Sequence, residues 1–281
     1  MRGLIVPQLR KTSEIPYHSD EAPGRRFVFT GRDLDPMCRL YIVGRQVDHV
    51  PSNQLEWLED HRHNCPTFYL LIGRHADLTG LAAEIVIEGT QFVAEAPCAI
   101  LLPTGKLHHH RLTAGSGWSF HLNTCSDYVD SLMDEPGEYV PRGSSSPVAD
   151  VYRKAERLSA IARQWDVEAG AFRSHDEGPM PVVWKFIDPA EFGDQGLRVH
   201  AHQVTGTSYR GGSYSEAIHR HPHDEVTIAL PEGDVPMTLE VASVGESVVV
   251  TAPIGVYHES GRPHYYRHLS GNGLVLHLMK L

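Results

Sequence analysis

A chain of 281 residues can bury one large core or two ordinary ones, and two units are the expectation. With 41% hydrophobic and 21% charged residues the composition is that of a soluble globular protein, and 25 glycines with 19 prolines imply a turn density that suits short strands better than long helices. A formal net charge of −10 without any Lys/Arg block argues against a nucleic-acid partner, and no apolar run approaches the ~20 residues needed to span a bilayer, so no membrane partner is expected.

The opening MRGLIVPQLRK is too short, and too soon broken by Pro7, for an export signal. Cys38, Cys65, Cys98 and Cys125 are therefore expected as reduced thiols of a cytoplasmic protein. In chain order, RLYIV (39–43), TFYLLI (67–72), AAEIVI (82–87), CAILLP (98–103) and GWSFHL (117–122) read as short strands separated by Gly, Pro, Asn and Asp. The texture then changes. Ser146-Pro147 is a cap followed by a first-turn proline, and apolar positions recur at helical spacing from Val148 to Trp165, which predicts a helix there. Strand texture returns with VVWKFI (182–187), LRVHAHQV (197–204), EVTIAL (225–230), MTLEV (237–241), SVVVTA (247–252) and LVLHLM (274–279). The expected organisation is an N-terminal β unit over 1–125, a helical linker over 126–180 and a C-terminal β unit over 181–281.

One pattern occurs twice. HRHNCPTFYLLIG (61–73) is followed by PTGKLH (103–108), and HRHPHDEVTIAL (219–230) by PIGVYH (253–258). A long-period internal repeat decides architecture ahead of local signals. Along an extended strand alternate side chains share a face, so the imidazoles of His-x-His can chelate one ion. In the second copy His219, His221 and Glu225 share that parity, and His258 would arrive from a neighbouring strand after a turn eased by Gly255 and stiffened by Pro253. Three neutral imidazoles and a carboxylate leave two positions of an octahedral ion open, which suits Fe(II), Mn(II), Ni(II) or Zn(II) and not an all-oxygen calcium cage.

His-x-His-(x)3-Glu with a downstream Pro-x-Gly-x-x-His resembles the cupin superfamily, and two copies resemble a bicupin. The resemblance implies an all-β chain of two jelly-roll cupin barrels, here joined by the helical linker, with a divalent metal inside each mouth. His219, His221, Glu225 and His258 match the four ligand positions, and His61, His63 and His108 match three of them. The fourth falls on Thr67, which cannot replace a carboxylate. Both copies also lack the usual glycine ahead of Pro-x-Gly, where Pro97 and Ser247 stand. Loss of the carboxylate removes a negative charge and frees a coordination position, which favours bidentate binding of an anionic substrate. The alternative for this copy is a degenerate barrel that only supports its partner.

Cys65 shares the parity of His61 and His63, but a thiolate so close would strain the strand, and a lone buried cysteine is ordinarily a small hydrophobe. Of His109 and His110, which directly follow His108, one must point away from the ligand face by strand alternation, and the other either stands behind the ligands or faces solvent; His223 reads as a rim residue. Tyr69 and Tyr257 are candidate hydrogen-bond donors to substrate, and Arg111 a candidate carboxylate partner, each set against an ordinary packing or surface role.

The leading functional expectation is a non-haem Fe(II) dioxygenase acting on a small polar or anionic metabolite, with the histidines holding the metal. The alternatives are a non-redox isomerase, decarboxylase or lyase using Zn, Mn or Ni, and a non-catalytic small-molecule-binding protein, since one fold hosts many chemistries. Monomer and homodimer are equally compatible with two barrels in one chain.

Overall fold

The computed structural model describes residues 3–11, 14–17, 23–32, 34, 36–52, 59–133, 147–158, 182–204, 219–233, 235–243 and 245–281. Among these the chain is predominantly β-sheet and forms two compact units. The first unit is Gln8–Ala155 with Pro189–Gln195; the second is Met1–Pro7, Glu156–Asp188 and Gly196–Leu281. This division crosses the linear boundaries at 125 and 180.

After β1 (Leu4–Ile5), the strands are β2 (Gln8–Leu9), β3 (Arg25–Thr30), β4 (Tyr41–Val47), β5 (Thr67–Gly73), β6 (Leu81–Ile87), β7 (Thr90–Glu95), β8 (Cys98–Leu102), β9 (His108–Gly115) and β10 (Gly117–Asn123). The short helices α1 (Tyr128–Ser131) and α2 (Val148–Val151) lead to β11 (Tyr152–Lys154), β12 (Glu156–Arg157) and β13 (Val182–Ile187). Helix α3 (Pro189–Phe192) precedes β14 (Leu197–Val204), β15 (Asp224–Pro231), β16 (Thr238–Ser243), β17 (Glu246–Thr251), β18 (Ile254–His258), β19 (His264–Ser270) and β20 (Gly273–Lys280).

In the first unit a seven-stranded antiparallel sheet runs β11-β8-β5-β10-β4-β3-β2 beside a three-stranded sheet β7-β6-β9. The second unit repeats the plan as β1-β18-β15-β20-β14-β13-β12 with β17-β16-β19. Strand β6, LAAEIVI, alternates buried and half-buried residues as a one-faced strand should. Strand β5, TFYLLIG, is central and buried throughout, so it reads as a continuous apolar run. Leu71, Ile100, Ile85 and Leu112, drawn from both sheets, share the first core; Val241, Val250, Val256 and Val275 share the second.

Two expectations need correction. No closed barrel forms among the described residues; each unit is a large and a small sheet. Pro97 and Pro253 stand where the chain passes from the small sheet to the large one, and a residue without an N–H cannot continue the ladder across that step. The helix expected over 148–165 ends at Val151, where Tyr152 turns extended (φ −122°, ψ 130°). Tyr152–Lys154 then pair with β8, and Glu156–Arg157 pair with β13. Open sheet edges satisfied these backbones better than local helical periodicity did. Residues 159–165 lie outside the described residues.

Candidate metal centres

Each His-x-His segment enters an equivalent strand: His61 and His63 ahead of β5, His219 and His221 ahead of β15. In the first unit His61 and His108 exchange backbone hydrogen bonds of 3.1 and 3.2 Å, which brings the start of β9 against the pair. The ligand nitrogens of His61, His63 and His108 lie within 4.8 Å of one another, and all three side chains are buried. Their Nδ1 atoms face Glu59 O (2.8 Å), Ser131 Oγ (2.9 Å) and Lys106 O (2.9 Å), respectively. A carbonyl only accepts, so His61 and His108 carry the proton on Nδ1 and the lone pair on Nε2. Ser131 gives its own hydroxyl proton to Tyr128 O (2.6 Å), which imposes the same tautomer on His63. Burial pushes the His61 pKa down and keeps the ring neutral, the form that ligates.

The second unit repeats this construction with one substitution. His219 and His264 exchange backbone hydrogen bonds of 3.0 and 2.9 Å, as His61 and His108 do. Gly105 N–H donates to His63 O (2.8 Å), and Gly261 N–H donates to His221 O (2.7 Å). Both glycines take a left-handed turn, φ +73° and +75°, that L side chains disfavour. His264 Nδ1–H donates to Arg262 O (2.9 Å), the counterpart of His108 on Lys106 O. The converging group is therefore His219, His221, Glu225 and His264, with ligand atoms within 4.8 Å of one another.

His258 does not hold the expected fourth position. PIGVYH is not a turn ahead of a ligand; its residues 254–258 form β18, and Gly255 lies inside that strand opposite Ile228. His258 instead stacks on His264 and hydrogen-bonds through Nε2 to the Tyr266 hydroxyl. The element shared by both copies is Gly-x-x-His, Gly105–His108 and Gly261–His264, and that was the signal available for finding His264.

Glu225 is buried and used on both oxygens. Oε2 lies 3.0 Å from His221 Nε2 and 3.4 Å from His264 Nε2. Oε1 accepts from Thr227 Oγ1 (2.8 Å) and His277 Nδ1 (2.7 Å). Burial works to raise the Glu225 pKa, but the imidazoles of His221, His264 and His277 around the carboxylate outweigh it and hold the carboxyl well below the usual range. In the first unit the matching register position is Thr67, opposite Asn123 on β10 as Glu225 is opposite Met279 on β20. Cys65 is no ligand of that cluster: its thiol donates to Asn123 Oδ1 (2.8 Å), and burial pushes its pKa up to about 12.

Beside the three-histidine cluster of the first unit is a cavity with about 430 Å³ of empty space, its open mouth included, lined among others by Arg26, Arg45, Tyr69, His110, His121 and Tyr128. The rings of Tyr128 and His121 lie 5.3 and 5.4 Å from that of His63, so they border cavity and cluster alike. Arg26 and Arg45 are buried; Arg26 donates to Tyr41 Oη (2.8 Å) and Arg45 to the carbonyls of Pro23 and Gly24 (3.5 Å each). Burial raises the Tyr69 pKa, so its hydroxyl stays protonated and can donate. Sequence reasoning found Tyr69 but missed both arginines, because each sits in a β strand with no motif around it. Tyr257 and Arg111 do not belong to these sites. Tyr257 is opposite Val226, on the reverse face of the sheet from Glu225 and His258. Arg111 pairs with Glu84 (2.9 Å), on the opposite face of β9 from His108 and His110.

The architecture matches solved structures over nearly the whole chain. AerE from Microcystis aeruginosa superposes with a TM-score of 0.58 at 12% identity, covering 100% of both chains. Oxalate decarboxylase from Bacillus subtilis at pH 4.6 superposes with a TM-score of 0.57 at 14% identity, over 98% of this chain and 76% of that one. The structure used to assign the Mn(II) centres of that decarboxylase gives 0.56 at 15%, over 98% and 78%. The chain has a bicupin fold. Its duplicated His and His/Glu clusters are of the kind that binds divalent transition metals. No protein-family model matches the chain, and comparison with curated protein sequences finds no match. No described helix is long and apolar enough to cross a membrane.

Proposed function

We propose that the bicupin is a metal-dependent, non-redox lyase that decarboxylates a small carboxylate in its first unit, with Mn(II) as the favoured cation. The observation that carries this reading is the pairing of an all-imidazole cluster, His61, His63 and His108, with a cavity that buries Arg26 and Arg45. Two buried guanidinium groups favour an anion, and Thr67 in place of a carboxylate adds no opposing charge. The fold likeness to oxalate decarboxylase supports the decarboxylase reading over the Fe(II) dioxygenase favoured by the sequence motifs alone.

His61, His63 and His108 would hold a divalent cation, which would supply Lewis-acid polarisation of the substrate carboxylate. The chain's own residues do the rest. Arg45 and Arg26 hold the anion, and the Tyr69 hydroxyl donates to it. Loss of CO2 leaves its electron pair on the adjacent carbon, which must then take up a proton. His110 and His121 in the cavity wall are the groups able to carry one.

The test is CO2 release from a panel of small dicarboxylates and 2-oxo acids, by protein loaded with Mn(II), with and without dioxygen. Equal turnover in both conditions, abolished by His61→Ala, is the expected result. Turnover that needs dioxygen and Fe(II) would overturn the proposal in favour of the oxygenase.

A further inference from the structure

The second unit contains three more histidines that neither duplicated motif includes. His200 and His202 alternate along β14, so their rings share a face, and His277 is the register partner of His200 on β20. All three are buried, with ligand nitrogens within 4.8 Å of one another. Ring centroids are 5.2, 4.8 and 4.7 Å apart. The cluster His61, His63 and His108 has 5.0, 4.6 and 5.3 Å, and His219, His221 and His264 have 4.7, 4.5 and 5.4 Å. All three fall in the same range of 4.5 to 5.4 Å.

The sister unit provides a built-in comparison. Gly117 begins β10 as Gly273 begins β20, which makes His121 the counterpart of His277. The partners of His121 and its neighbour on β4 put Val43 at the place of His200 and Arg45 at that of His202. The fold therefore fills these positions without a histidine pair, and the imidazoles of β14 are not a packing requirement. Where the first unit places Arg45 at its cavity, the second places His202, on the same face of its strand as His200.

We propose that His200, His202 and His277 form a further divalent transition-metal site, joined to the His219/His221/Glu225/His264 site through the Glu225–His277 hydrogen bond. His277 Nδ1–H donates to Glu225 Oε1, which directs the lone pair of Nε2 to this cation, while Oε2 faces the other site. Carboxylate–histidine–metal chains of this type fix the tautomer and raise ligand basicity. Thr227 Oγ1, donating to the same oxygen at 2.8 Å, holds the carboxylate in place. The second unit is thus a two-cation centre with one carboxylate between the ions.

The experiment uses the full-length protein, stripped of metal, reloaded with Mn(II), desalted and measured by elemental analysis and electron paramagnetic resonance. A His61→Ala/His221→Ala variant, disabled at both motif sites, is expected to retain one ion per chain, and His200→Val added to it removes that ion. Val43 at the matching place shows that valine suits this position. In the wild-type chain, two Mn(II) ions in one unit give a dipolar-broadened spectrum, which His200→Val narrows to that of isolated ions. A His61→Ala/His221→Ala protein that folds and holds no ion, or a wild-type spectrum of isolated ions at full loading, overturns the proposal. If the combined variant does not fold, the wild-type spectrum and the His200→Val spectrum decide the matter alone.

Discussion

The rings of His258 and His264 are stacked, with centroids 4.0 Å apart and planes 15° from parallel. His264 belongs to the converging cluster of the second unit, and His258 stacks on it and is tied to Tyr266.

Removing each therefore has a different effect. His264→Ala is expected to lower metal content by about one ion per chain, because it deletes a ligand. His258→Ala leaves the stoichiometry unchanged and weakens affinity roughly tenfold, as loss of a group that orients a ligand does. Titration of both variants with Mn(II), read by calorimetry, checks this; equal losses in the two would refute the assignment.

Arg45 is the clearest test of the anionic substrate. A hydrogen bond to a charged group contributes about 1.5–3 kcal/mol, so Arg45→Ala should raise KM about 10- to 100-fold, with Arg45→Lys in between. Metal content should not change. An unaltered KM would remove the anion from the cavity.

Thr67→Glu would recreate in the first unit the carboxylate that Glu225 supplies in the second. The added charge should tighten cation binding and repel an anionic substrate, lowering kcat/KM roughly tenfold or more. Steady-state kinetics beside a metal titration separates the two effects, which must move in opposite directions.

Thiol reactivity reports on the first unit. Cys65 and Cys98 have pKa values pushed up to about 12 by burial, and Cys38 is buried with its thiol on Leu40 O (3.3 Å). At pH 8 a thiol of that acidity is ionised to roughly one part in ten thousand, so these cysteines should resist iodoacetamide. Cys125 is only partly buried and should react first, as peptide mapping by mass spectrometry would show.

The sequence carried the repeat and most strands openly, because β5, β8, β10, β15 and β20 are apolar runs bounded by turn residues. It hid β3, β7, β9 and β19, which mix polar and charged residues in strands such as RRFVFT and HHHRLTAG, and it hid β18 inside the motif PIGVYH. The three-histidine cluster of the first unit was legible because His61, His63 and His108 fit the motif. The corresponding residue of the second unit was not, because PIGVYH imitates that motif one strand too early, while the true turn reads GRPH with its proline on the other side of the glycine. Helical periodicity from Val148 misled because Tyr152–Lys154 found an open edge at β8, a partner that local spacing does not reveal. His200 and His202 were visible only as part of a strand; that they meet His277 depends on the β14–β20 register, which sequence does not fix.

Strand β1 pairs with β18, and Pro189–Gln195 belongs to the unit built mainly from the first half. The two duplicated modules are thus threaded through each other along the polypeptide. Cutting the gene at any single point between them would strip one product of an edge strand and the other of a helical turn. Co-expressed fragments should reassemble where separately expressed ones precipitate, and neither unit can be removed by a single deletion without taking a piece of the other.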